Sequence, residues 1–291
     1  MLCSRKFLVA ASVAWLIFTS PVIALPLWEI QGISNRIHLL GSIHFLRPQD
    51  FPLPEAITKA LIDADVIIME LDLTTLNPIT VQAIMLDKAI DPNGRGLDDF
   101  LDRRSYRRAQ RLAAAVDIDL STMRQYEPWY AALQITQLRL MQLGFDGSFG
   151  VESQILIQAI QHGKELGGLE TLEAQLDSMD SLPMDAQQEF LMVTLEEAAA
   201  AGEMLDEIID AWKSGDIAVL EENFLSDLSA NAQLYDQLIV QRNRNWTKSI
   251  VSFTEDSRNY LIVVGALHLV GDDSVLKMLN DAGFSTRQIK R

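Results

Sequence analysis

The chain has 291 residues and carries 40 acidic against 24 basic side chains, a formal net charge of -16. Nucleic acid and anionic lipid are bound through Lys and Arg, so an acidic balance of this size argues against a nucleic-acid partner. The single cysteine, Cys3, excludes internal disulfides and thiolate clusters, so any metal would have to be held by His, Asp and Glu.

Residues 1–6 include Arg5 and Lys6, residues 7–18 are apolar, and Val22-Ile23-Ala24 offers the small residues that a signal peptidase requires. This pattern predicts a secretory leader over residues 1–24, cleaved after Ala24, and hence a periplasmic or secreted protein. An uncleaved anchor is the alternative. The apolar run is short for a span of about 20 residues, and Pro21 interrupts it, so no stable membrane span is expected after processing.

Residues 25–291 suit one large α/β domain. Short apolar runs at 27–30, 37–40 and 66–71 read as strands, and residues 54–64 read as a helix that begins at Pro54. Residues 97–142 and 183–253 show mainly helical spacing, within helical insertions at about 76–150 and 172–258. Residues 151–162 form an amphipathic helix and 164–169 a short strand running to Glu170. A strand at 260–264, a helix at 273–281 and a last strand through Ile289 complete the expected order. The predicted fold is a central mixed sheet flanked by helices.

The two ends of this pattern match each other. Ile37-His38-Leu39-Leu40-Gly41-Ser42-Ile43-His44 and Leu261-Ile262-Val263-Val264-Gly265-Ala266-Leu267-His268 share one design: apolar strand, glycine, two residues, histidine. Each is followed by a loop, a helix and another strand, which predicts two pseudo-symmetric units. Glycine permits a sharp turn at the strand end and a close ligand approach, and an imidazole three residues on can project over the carboxyl edge of the sheet. Glu70 and Glu170 also end predicted strands.

Two histidines and a carboxylate make an open ligand set for a catalytic divalent ion, which leaves a position for water. His44 and His268 with one of the strand-end carboxylates, Glu70 or Glu170, are therefore the expected metal ligands. Asp72 could substitute for Glu70, and because side chains two apart on a strand share a face, both could contribute. Arg242 can hold a carboxylate bidentately or stabilise an oxyanion. His38 is expected to be structural or at an edge, His162 to be a helix C-terminal cation, and Glu152 and Glu173 to be solvated helix charges. Trp129 and Trp246 are expected to pack as core.

Taken together, several segments resemble the TraB/GumN family, which includes the Tiki metalloproteases and is related to erythromycin-esterase-like and haem-binding ChaN-like proteins. The resemblance spans nearly all of residues 27–291. It rests on Leu27-Trp28-Glu29, Gly41-Ser42-Ile43-His44, the strand from Ala64-Asp65 to Glu70-Leu71-Asp72, Pro128-Trp129, Gly168-Leu169-Glu170-Thr171 and Gln175. It continues with Trp212, Gly215-Asp216, Arg242-Asn243-Arg244-Asn245-Trp246 and the run from Val264 to Gly271.

The resemblance implies a metal-dependent hydrolase, most simply a peptidase, with manganese or cobalt as the metal; zinc is also considered. It implies a core of His44, Glu70 and His268, with Glu170 and Arg242 as companions, acting on a peptide or small molecule. Two departures are notable: relatives often have glycine where Leu267 stands, which narrows the pocket, and many have Asp at Glu152. The alternatives are a haem- or metal-binding protein without turnover and a metal-independent ester hydrolase that uses histidine as base.

Overall fold

The computed structural model describes residues 24–225 and 231–290. The expected leader, residues 1–23, lies outside the described residues. Six strands, β1 (Ala24–Gln31), β2 (Arg36–Ser42), β3 (Val66–Met69), β4 (Glu165–Gly168), β5 (Tyr260–Gly265) and β6 (Thr286–Lys290), form one mixed sheet in the order β4-β3-β5-β2-β1-β6. β4, β3, β5 and β2 are mutually parallel, whereas β1 runs antiparallel to both β2 and β6. β3 and β5 are buried along their whole length, as the unbroken apolar sequences of parallel strands require.

The helices in chain order are α1 (Glu55–Asp63), α2 (Pro78–Ala89), α3 (Leu97–Phe100), α4 (Arg103–Ala114), α5 (Pro128–Gln142) and α6 (Val151–Gln161). There follow α7 (Leu172–Asp180), α8 (Met184–Glu197), α9 (Ala201–Ser214), α10 (Ile217–Leu225), α11 (Ala232–Tyr235), α12 (Gln241–Phe253) and α13 (Val275–Asp281). A π-helical turn, Asp236–Val240, joins α11 to α12. Among the described residues no helix is long and apolar enough to cross a membrane.

Side-chain alternation along the strands divides the core in two. Leu40, Ile67, Met69, Leu261 and Val263 face α1, α6 and α9. Leu39, Ile68, Ile262 and Val264 face α12 and α13 on the other side. The helical insertions build their own apolar clusters, one among α4, α5 and α8 and another where Trp129 meets α2 and α7.

The predicted repeat is present with a twist. The first unit crosses from β2 to β3 over one strand, and the second crosses from β5 to β6 over two. They travel in opposite directions along the sheet, and their helices α1 and α13 lie on opposite faces. The symmetry is incomplete because β1 is wedged between β2 and β6. β2 and β5 are nonetheless parallel neighbours, with Gly41 opposite Val264 and Ser42 opposite Gly265, so both Gly-x-x-His turns leave the same edge of the sheet side by side. A Cβ on Gly41 would lie 3.1 Å from the Ala266 Cα, so glycine here lets one turn pack directly against the other.

α9 secures that edge. The fully buried indole of Trp212 donates its Nε1–H to the carbonyl of Gly41 at 2.7 Å. Trp212→Phe would leave this carbonyl unpaired and a void beside it, so a loss of about 2 to 4 kcal/mol is expected in denaturant unfolding. A loss below the error of that measurement would show that α9 does not hold the turn.

Candidate active site

The carboxyl edge of the four parallel strands brings together side chains that are far apart in sequence. Glu70 follows β3 directly; its Oε1 accepts the backbone N–H of Gly265 at 2.7 Å and its Oε2 accepts from Arg242 at 2.7 Å and Gln175 at 3.1 Å. Glu170 follows β4, and its backbone N–H bonds to the carbonyl of Glu70 at 3.0 Å, which pins the two strand ends together. Its carboxylate accepts from Arg242 Nε at 3.1 and 3.2 Å, from Arg242 Nη2 at 2.7 Å, from Gln175 at 3.2 Å and from Trp246 Nε1 at 3.2 Å.

Arg242 reaches this edge from the second residue of α12. The π-turn before it adds a residue to the helical repeat, and such turns commonly mark functional helices. Arg242 Nη1 also donates to the Leu238 carbonyl at 3.2 Å and meets His268 Nε2 at 3.3 Å, while the guanidinium carbon lies 4.6 Å over the Trp246 ring. His268 sits in a short 3-10 turn, Ala266–Leu269, after β5. Its Nδ1 is 2.7 Å from Asn243 Oδ1, and Asn243 Nδ2 donates to the Asp273 carbonyl at 2.8 Å. Nδ1 must therefore carry the proton, and Nε2 is left as the acceptor toward Arg242.

His44 stands at the opening, with 58% of its side chain accessible. Its Nδ1 donates to Glu152 Oε1 at 2.8 Å, and the same oxygen accepts from the Ser42 hydroxyl. Glu152 is in the first turn of α6, where the helix dipole favours an anion. Gly150 fixes the approach of that helix, since a Cβ there would fall 2.1 Å from the His44 carbonyl.

Gly265 is the meeting point. A Cβ added to it would lie 3.3 Å from Glu70 Oε1, 3.6 Å from the His268 ring and 3.7 Å from His44 Nε2. Both histidines and Glu70 thus border the small volume that this glycine leaves open.

The electrostatics separate the two histidines. Attraction to Glu152, reinforced by their hydrogen bond, raises His44 to about 9. Desolvation in its buried position lowers His268 to about 3, helped by Arg242 and His44. Burial works against the anion of Glu70, yet its charged neighbours and the Gly265 N–H hold it at about 2. Because His268 is itself neutral, Arg242 and the His44 imidazolium are the cations that sustain Glu70. Glu152 is lowered too: burial opposes its charge, and His44 and Ser42 outweigh that.

Five residues expected from sequence, His44, Glu70, Glu170, Arg242 and His268, meet at this edge. Asp72 does not join them; it accepts from the N–H and hydroxyl of Thr74 and serves its own turn. His38 lies buried in a central strand, not at an edge, opposite Glu29. His162 caps α6, and Glu173 is exposed, as expected. Glu152 corrects the reading of a solvated helix charge: only 14% of its side chain is accessible, and it orients His44. The helical period places it on the first turn but cannot reveal that this turn packs under the first Gly-x-x-His loop. Gln175, Asn243 and the indole N–H of Trp246 also tie the site together, although residue type alone did not assign them these partners. Trp129 is core, fully buried.

No solved structure matches the chain. It is 27% identical over 256 residues to the uncharacterized protein YbaP of Escherichia coli (strain K12), covering 87% of this chain and 92% of that protein. It is 23% identical over 299 aligned positions to metalloprotease TIKI2 of Xenopus tropicalis, covering 85% of this chain but 56% of that longer protein. A 63-residue stretch, 21% of this chain and 12% of the relative, is 38% identical to a metalloprotease TIKI homolog of Amphimedon queenslandica. The model of the TraB/PrgY/gumN family matches residues 26–288, nearly the whole described fold, and the chain belongs to that family.

Proposed function

We propose that this chain is an exported metal-dependent peptidase whose site is the edge built around Gly265. The observation that carries this reading is the convergence of His44, Glu70 and His268 on the space left by that glycine. The donor chemistry fits a divalent ion: each imidazole has its Nδ1 tied to a supporting acceptor, Glu152 or Asn243, which leaves Nε2 toward the site, and at His44 a metal would take the place of the Nε2 proton of the imidazolium. Among the described residues no three His, Cys, Asp or Glu side chains are already gathered in a metal-holding arrangement. Arg242 instead contacts Glu70 Oε2 and His268 Nε2, two of the atoms a metal would use. A bound divalent ion supplies Lewis acidity and a water of lowered pKa.

The chain's own residues do the rest. Glu170, saturated by Arg242, Gln175 and Trp246, anchors the guanidinium. Arg242 commits its N–H groups to Glu70, Glu170, His268 and the Leu238 carbonyl, so it fixes these groups in place and would meet a substrate oxygen only by releasing one of them. Glu152 holds His44 in one ring orientation. The names of the TIKI relatives support the peptidase class for this site.

The test is metal stoichiometry and peptide hydrolysis measured together with thermal melting. His44→Ala and Glu70→Gln should each lower affinity for manganese or zinc at least about 100-fold, Glu152→Gln about 10- to 100-fold, and His162→Ala not at all. His268 is buried against Trp246, with ring centroids 4.4 Å apart, so His268→Gln is preferred to Ala. Unchanged metal content in folded variants would sink the reading, and a Soret band on haem titration without ion binding would turn it toward a haem-binding protein.

Gly265→Ala gives an independent check. Its new methyl would sit at ordinary contact distance from the His268 ring and His44 Nε2, 3.6 and 3.7 Å, and press on Glu70 Oε1 at 3.3 Å, which the carboxylate relieves by shifting a few tenths of an ångström, while occupying the space at which the three side chains meet. The variant should melt within a few degrees of the parent and lose metal binding and hydrolysis; retention of both would place the chemistry elsewhere.

Export through a cleaved leader belongs to the same reading, supported by the charged, apolar and small-residue order of residues 1–24. N-terminal sequencing of protein expressed in a Gram-negative host should return a periplasmic chain that begins at Leu25. A cytosolic pool beginning at Met1 would overturn it.

A further inference from the structure

The edge around Gly265 forms the floor of a cleft of about 580 Å³, within the range of ligand sites. Its ionisable lining groups, His44, Glu70, Arg242 and His268, all belong to the floor. The roof comes from the helical insertions and is mainly apolar: Met85 of α2, Leu133 of α5, Leu176 and Met179 of α7, Phe190 of α8 and Leu238 of the π-turn, while the hydroxyls of Thr136 and Ser178 donate to carbonyls of their own helices. Although 22% of the chain is charged, these five helical segments place no charged side chain in the roof.

Met85, Leu133, Met179, Phe190 and Leu238 are each only half-buried. They pack at one side against the clusters of the insertions and leave their remaining surface open to the cleft. Exposed apolar surface concentrated above a polar site is the mark of a binding surface, and methionine and leucine can adapt to varied apolar occupants. A charged side chain under this roof would lose its hydration with no partner, a heavy cost. An extended backbone needs polar partners, and the polar lining groups gather along the floor, around His44, Glu70 and Gln175.

We propose that the roof is the specificity subsite of the site: it accepts a peptide segment bearing bulky apolar side chains next to the bond held over Gly265, and it rejects charged side chains there. This rests on the peptidase reading above. The backbone runs along the floor and the side chains rise under Met179, Leu133 and Leu238.

The experiment uses the full chain and three fluorescein-labelled hexapeptide amides: Gly-Leu-Phe-Leu-Met-Gly, Gly-Ser-Asn-Ser-Gln-Gly and Gly-Asp-Phe-Asp-Met-Gly. Fluorescence anisotropy without added metal should show the first binding at least about tenfold more tightly than the other two. Met179→Gln and Leu238→Asn, checked for folding by thermal melting, should each remove most of that preference with metal stoichiometry unchanged, and Met179→Leu should restore it. Equal binding of the three peptides, or an undiminished preference in folded roof variants, overturns the subsite. So does tight palmitate binding by a protein that ignores all three peptides, since the roof would then serve an acyl chain. On adding manganese, binding of the apolar peptide without cleavage keeps the subsite and overturns the peptidase reading. Cleavage of all three at equal rates does the reverse.

Discussion

Arg242 directs all five of its N–H groups inward, to Glu70, Glu170, His268 and the Leu238 carbonyl, with its flat face over Trp246. A guanidinium and two carboxylates this deeply placed would be ruinous if any were left alone, since the desolvation of each ion is recovered only through complete pairing. The requirement for saturation governs the surroundings. Gln175 must bridge the two carboxylates, Trp246 must turn its N–H toward Glu170, and Asn243 must hold the far side of His268 so that its near side can accept. The chain departs from regular α-helix just before Arg242, where the guanidinium has to meet strand ends from both Glu70 and Glu170.

A second ion pair, His44 with Glu152, stands apart from this network and is much more accessible on the histidine side. The site therefore has a rigid inner half and a more open outer half. The inner half is bound to the sheet through Gly265 and to α12; the outer half depends on how the loop after β2 rests on Gly150 and α6. Apolar helices close over both, so that polar chemistry is confined to one level of an otherwise apolar recess.

Much of this was legible in the residues. Unbroken apolar runs announced buried parallel strands, and glycine after each of two such runs announced sharp turns at one edge. Glu70 could be placed because β3 ends immediately before it. What could not be read was anything set by how elements sit on one another. Glu152 looks like a surface charge in its own helix, and only the packing of α6 beneath His44 makes it a partner. Trp246 was legible as a core residue, while its hydrogen bond to Glu170 depends on the phase of α12 after the π-turn. The insertion of β1 between β2 and β6, which breaks the symmetry of the repeat, left no mark in the spacing of either motif.

The strand order carries a consequence for assembly. β2 and β3 belong to one continuous early segment, yet they never touch, because β5, nearly two hundred residues later, lies between them. During synthesis both early strands therefore keep an open hydrogen-bonding edge until the late strand slots in, and the helical insertions can condense well before that moment. This late long-range pairing, followed in the chain only by that of β6 with β1, is the same one that sets Gly265 against Glu70 and His268 beside Arg242. Closure of the sheet's centre and completion of the site are one event, and a chain that still lacks β5 holds the roof of the cleft over an unfinished floor.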